Sequence, residues 1–175
     1  MKLMINPSAP LRNETEARAA ARASAIAIFI GVLMGIVTVA MMMNGGLTDM
    51  EAAMKAQAGS DPNLAGMTGA VAQGTLYFTI FLVLVQAVLG FVQWAKPNVF
   101  IPILFLILVV YGLGISVLAL ISAGDQSAPQ SMMNTPAVMI ASIVVMLIQA
   151  LLHAVGIRGA TALSKFQRGE VSATA

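Results

Sequence analysis

The sequence predicts an all-α integral membrane protein: a bundle of four transmembrane helices with both termini cytoplasmic and a short amphipathic helix in the first outer loop. Three observations lead there. Of 175 residues, 59% are hydrophobic and 9% charged, against about 45–50% and about 25% in soluble domains. The apolar residues fall into four uncharged runs, 23–43, 75–94, 101–122 and 137–157, each near the ~20 residues that carry an α-helix across ~30 Å of hydrocarbon. The basic residues alternate between the flanks of these runs, and cytoplasmic flanks hold the excess of Lys and Arg. Lys2, Arg12, Arg18, Arg22, Lys96, Arg158, Lys165 and Arg168 share one side, whereas Lys55 stands on the other with Asp49, Glu51, Asp61 and Asp125. The expected location is a bacterial-type inner (plasma) membrane, multi-pass, N-in and C-in.

Composition also narrows the partners. Nine Lys and Arg spread along the chain do not make the basic patch that nucleic acid requires, so the lipid bilayer is the expected partner and nucleic acid is not. The absence of cysteine removes disulfide exchange, thiolate catalysis and Cys-ligated metals.

Taken in order, residues 1–22 form a cytoplasmic segment continuing into the first span. Asn13 followed by Glu16 resembles a capping box, placing a helix start near Glu14. The span 23–43 is too long for the ~7–15-residue core of a signal peptide, so it stays as an anchor. In the outer loop, 44–74, Thr48 and Glu51 have capping-box spacing and Met50 and Met54 follow one turn apart, so a surface helix is expected over about 49–58 before Gly59-Ser60-Asp61-Pro62 breaks it. After the span 75–94, the cytoplasmic turn 95–100 contains Lys96-Pro97-Asn98, short enough to make the second and third spans a hairpin. The span 101–122 leads to a polar outer loop, 123–136, whose Thr135-Pro136 suits a helix N-terminus. The span 137–157 extends into a cytoplasmic segment and tail, 158–175.

Without a hydrophobic force between helices in lipid, small and polar side chains gather at helix interfaces. On the first span that stripe is Ala27, Gly31, Gly35 and Thr38, with Gly31 and Gly35 forming a GxxxG pair. A GxxxG pair is either close packing within the chain or a homodimer face. The second span carries Thr79, Gln86, Gly90 and Gln93, the third Gly112 and Ser116, and the fourth Ser142, Gln149, His153 and Gly156. Gln86 lies roughly 2 Å and Gln149 roughly 3 Å to the cytoplasmic side of the middle of its span, so the two are level. An unpaired amide costs several kcal/mol in hydrocarbon, so Gln86 and Gln149 are expected to face each other, or share a water, across neighbouring helices. His153, the only histidine, lies about 6 Å below Gln149 on the same face, level with Gly90, whose missing side chain leaves room for the ring.

Gln86, Gln149, His153, Tyr111 and Ser142 therefore form the expected polar cluster, serving a ligand or joining helices, with Gly31, Gly35, Gly90, Gly112 and Gly156 as packing positions. No span contains a second His, a Cys or a carboxylate, so neither a metal nor a haem centre is expected from one chain. Thirteen methionines include Met41, Met42, Met43, Met132 and Met133 at the outer surface, and thioethers can hold Cu(I). Consecutive helical residues diverge, however, so Met41 to Met43 do not converge on one ion, and copper is not expected.

With no catalytic constellation, the leading expectation is a non-enzymatic accessory, assembly or scaffold component of a larger membrane complex, or a homodimer. A small transporter or channel is the alternative. Transporters in the manner of the small multidrug resistance family use a membrane-embedded glutamate, which this chain lacks. A third possibility is a quinone- or haem-contacting redox protein using His153, Gln149 and Tyr111.

Overall fold

The structure, a computed structural model, describes residues 10–59, 61–122 and 136–170. Among these residues it is all-helical: α1 (Glu14–Ala21), α2 (Ala23–Met41), a π-helical turn (Met42–Gly46), α3 (Leu47–Ala58), α4 (Pro62–Ala95), α5 (Phe100–Ser122) and α6 (Pro136–Gln167). Four helical stretches are long and apolar enough to cross a membrane. The expected pair Thr135-Pro136 and the loop before it fall largely outside the described residues, as do Met132 and Met133.

α1 starts where Asn13 Oδ1 accepts from the Glu16 amide, 2.9 Å, and the Glu16 carboxylate accepts from the Arg12 amide, 2.8 Å. Arg22 stays in the right-handed helical region (φ −71°, ψ −14°), so α1 and α2 act as one rod. The rod ends in a kink at Asn44 and Gly45. Gly45 has φ +109°, a conformation that costs glycine little and other residues much. Because the Leu47 amide still finds the Met42 carbonyl, α3 needs no side-chain cap and begins at Leu47, with Thr48 inside its first turn instead of capping it.

α4 starts at Pro62, well before Thr75, where the apolar run begins. Asp61 Oδ1 accepts from the Asn63 and Leu64 amides, 2.9 and 3.4 Å, and Pro62 occupies the first turn, where its missing N–H costs nothing. The 34 residues of α4 measure about 51 Å at 1.5 Å each, more than the hydrocarbon needs. Its first turns run beside α3, burying Thr68 and Ala72. Gly66, Gly69 and Gly74 interrupt the apolar pattern there, which hides this helical extension from a reading by periodicity.

The helices pack in the order α4, α2, α6, α5, with α1 also on α6. The densest part lies between the first rod and α6. Ala17, Ala20, Ala21, Ala23 and Ala27 are buried against Leu152, Val155, Ala160 and Leu163. A Cβ on Gly156 would strike Ser24, and one on Gly159 would strike the backbone of Ala20 and Ala21. Those two glycines set how closely the rods approach.

The second and third spans do not pack as the hairpin expected from their short turn. α4 and α5 are antiparallel, but they splay to opposite sides of the α2–α6 pair and share at most marginal contact. Gln93 holds the turn in this shape. Its Nε2 donates to the Asn98 carbonyl, 3.1 Å, and to the Ala21 carbonyl, 3.4 Å, while its Oε1 accepts from the Asn98 amide, 3.2 Å. Arg22 closes the same end, donating to the Trp94 carbonyl at 3.2 Å with its guanidinium 5.1 Å from the Trp94 ring centroid.

Large side chains cannot enter the α1–α6 contact without moving backbone. Gly159→Leu is expected to lower stability by about 3 kcal/mol or more, at the upper end of overpacking effects, read as a lower thermal unfolding midpoint in detergent. An unchanged midpoint would show that the rods are not held this closely.

Candidate functional site: an intramembrane cleft

The polar side chains of the spans are brought together by the first rod, not by direct contact between α4 and α6. Gly31 of α2 is their meeting point. A Cβ built there would lie 3.2 Å from Gln149 Nε2 and 3.5 Å from Gln86 Oε1, so the two amides converge on the notch from either side. They share a level, as the 1.5 Å rise requires, but α2 lies between their helices and they form no bond to each other among the described residues. Gln149 Nε2 instead donates to the Ala27 carbonyl, 3.2 Å, leaving Oε1 without a partner among the described residues.

His153 is 1% exposed, and its Nδ1 lies 2.8 Å from Ser24 Oγ. Either group can donate in this bond, according to the tautomer of the ring, and Nε2 has no protein partner among the described residues. Phe105 of α5 stacks on the imidazole with centroids 5.7 Å apart and planes 15° apart. Gly90 does not make room for this ring. It faces Ile28 and Phe29 across the α2–α4 contact, because α2 separates α4 from His153.

His153, Gln149, Gln86, Ser142 and Thr38 line one cavity of about 340 Å³, with Phe105, Leu108 and Val109 of α5 supplying an apolar wall. No charged residue lines it. Ser142 and Thr38 contribute little polarity, since their hydroxyls donate to the carbonyls of Val138 and Met34 one turn back. Tyr111 is not part of the cluster: it is 69% exposed on α5. Gly112 lies against Met146, and Gly35 against Val83, so both glycines of the GxxxG pair are occupied within the chain.

Two contributors escaped the reading by stripes, and a third was on a stripe without its role being legible. Ser24 continues the Ala27–Gly31 stripe one turn toward the cytoplasmic end assigned from the sequence, but a serine at the edge of a span is unremarkable without its partner. Phe105 had no signal, being one apolar residue among many. Gln93 was on the inward stripe, yet its clamp on Asn98 depends on a turn whose shape only the fold defines. Among the described residues no group of three His, Cys, Asp or Glu converges on a metal position.

The chain matches no protein-family model, no curated protein and no solved structure.

Because Ser24 is bonded and Gln86 is not, their removal should act in opposite directions. Ser24→Ala, which leaves Nδ1 of His153 buried without its partner, is expected to cost about 1–3 kcal/mol. Gln86→Leu is expected to leave stability unchanged or raise it, since an unpartnered amide is replaced by an apolar group. Thermal unfolding of the two variants in one detergent checks both signs.

Proposed function

We propose that this chain is a small polytopic inner-membrane protein that serves as a non-enzymatic accessory or scaffold component of a larger membrane complex. The supporting observation is a set of empty notches on the two splayed helices. A Cβ on Gly66 or Gly74 of α4, or on Gly114 of α5, would meet nothing within 4 Å. Small residues in membrane helices let a neighbouring backbone come close, and here the described residues supply no neighbour. A second membrane polypeptide fits these notches. A homodimer through Gly31 and Gly35 is disfavoured, because both face their own chain.

The proposed topology keeps both termini in the cytoplasm. α1, the turn after Ala95 and the end of α6 share one end of the bundle, and that end carries Arg18, Arg22, Lys96, Arg158 and Lys165. α3 would then lie at the outer surface. Neither haem nor copper forms part of the proposed role.

The notch on α5 gives a direct test. Gly114→Leu adds a side chain in open space, so the isolated chain should unfold at an unchanged temperature, while co-purification with a partner complex under gentle solubilisation should fall by about tenfold or more. Wild-type protein that always migrates alone would remove the basis for an accessory role.

Topology has its own check, helped by the absence of native cysteine. A single Lys55→Cys is expected to react with a membrane-impermeant maleimide added to intact cells, and a single Lys96→Cys only after lysis. The reverse pattern would invert the protein.

A further inference from the structure

We propose that the cleft binds the uncharged, flat headgroup of a lipid-borne quinone or quinol. The protein ends of such a site are already in place. Among the described residues His153 Nε2 and Gln149 Oε1 have no protein partner and Gln86 presents an unbonded amide, all lining the same cavity. His153 and Gln149 are more than nine-tenths buried. No fully buried side-chain N or O is left unpaired among the described residues, so these unpaired atoms open onto the cavity, and because an unmade bond in hydrocarbon costs several kcal/mol they point to something that enters with complementary oxygens.

The character of that ligand follows from the walls. Nothing charged among the described residues lines the cavity, and an ion buried without a counter-charge is strongly disfavoured, so the headgroup is neutral. Gln149 Oε1, an acceptor, suits a hydroxyl, while His153 Nε2, donor or acceptor by tautomer, and the Gln86 amide can each meet a carbonyl or a hydroxyl. A quinone and its quinol present these two kinds of oxygen at the rim of one ring. Phe105, stacked on His153, offers an aromatic wall to a planar group, and about 340 Å³ lies at the low end of ligand pockets of ~300–1,000 Å³, enough for a single ring and the start of its tail.

The entry route is consistent with a ligand dissolved in the membrane. α4 contributes only Gln86 to the lining and does not seal against α5. The lining residues Gln86 and Gln149 lie near the middles of their apolar runs, where the adjoining phase is hydrocarbon, so a prenyl tail can trail outward between α4 and α5 while the ring is held. No electron transfer is part of the proposal.

The sole histidine supplies a specific probe. With isotope-labelled histidine in full-length protein in lipid nanodiscs, a short-tailed ubiquinone is expected to shift the single imidazole resonance saturably, whereas an isoprenoid alcohol with the same tail should not. Gln86→Leu, a change that leaves every described protein hydrogen bond intact, should weaken the ubiquinone response by about tenfold, near the upper value of one hydrogen bond, and Tyr111→Phe should leave it unchanged. Absence of a saturable shift, an equal shift with the alcohol, or an unaltered response in Gln86→Leu would each overturn the assignment. The experiment uses the isolated chain, so its result is separate from whether a partner complex exists.

Discussion

The close approach of the first rod to α6 is the constraint on which the remaining geometry depends. Lipid gives apolar side chains no reason to leave it for each other, so helices in a bilayer are held by dispersion at short range and by hydrogen bonds across the contact. Here both occur in one place. Gly156 and Gly159 let α6 meet Ser24, Ala20 and Ala21 almost backbone to backbone, and the same approach brings His153 to Ser24 and Gln149 to the Ala27 carbonyl. A wider separation would lose the packing and both bonds together.

The outer helices are arranged around that pair. α4 leans on α2, where Gly35 admits Val83 and Gly90 admits Phe29 and Ile28, and α5 leans on α6, where Gly112 meets Met146 and Phe105 stacks on His153. Gln93 anchors their connecting turn to the start of the rod, so the helices diverge from a fixed point. An unsealed side results, with polar groups at its floor and unfilled glycine notches on α4 and α5. The proposed partner and the proposed ligand use different parts of this surface: the partner needs the notches, and the ligand needs the floor.

Hydrogen-bond accounting separates structure from function within the spans. Thr38, Thr75, Thr79 and Ser142 all return their hydroxyl protons to carbonyls of their own helices, the usual accommodation of such residues in helices. Gln93 is fully used. Among the described residues Gln86, one end of Gln149 and one nitrogen of His153 are left over and gathered at one cavity, while the unbonded hydroxyls of Tyr77, Tyr111 and Ser116 lie apart from it. Polar residues that fold the chain and polar residues free to meet something else are thus distinguishable by their bonds, although they look alike as residues in apolar runs.

The number of spans, the inward stripes and the shared level of Gln86 and Gln149 were determined by the sequence alone, because run length, helical periodicity and a fixed rise per residue are local properties of the chain. Which helices become neighbours was decided only in three dimensions. A stripe states which side of a helix seeks company but not whose, and so it left open that α2 would come between α4 and α6, that Gly90 would receive Phe29 instead of an imidazole, and that Tyr111 would face outward. The long start of α4 was likewise hidden, since its glycines read as a break until α3 packs beside them. The cleft itself depends on α4 and α5 failing to meet, a relation between elements distant from one another that no local pattern of residues encodes.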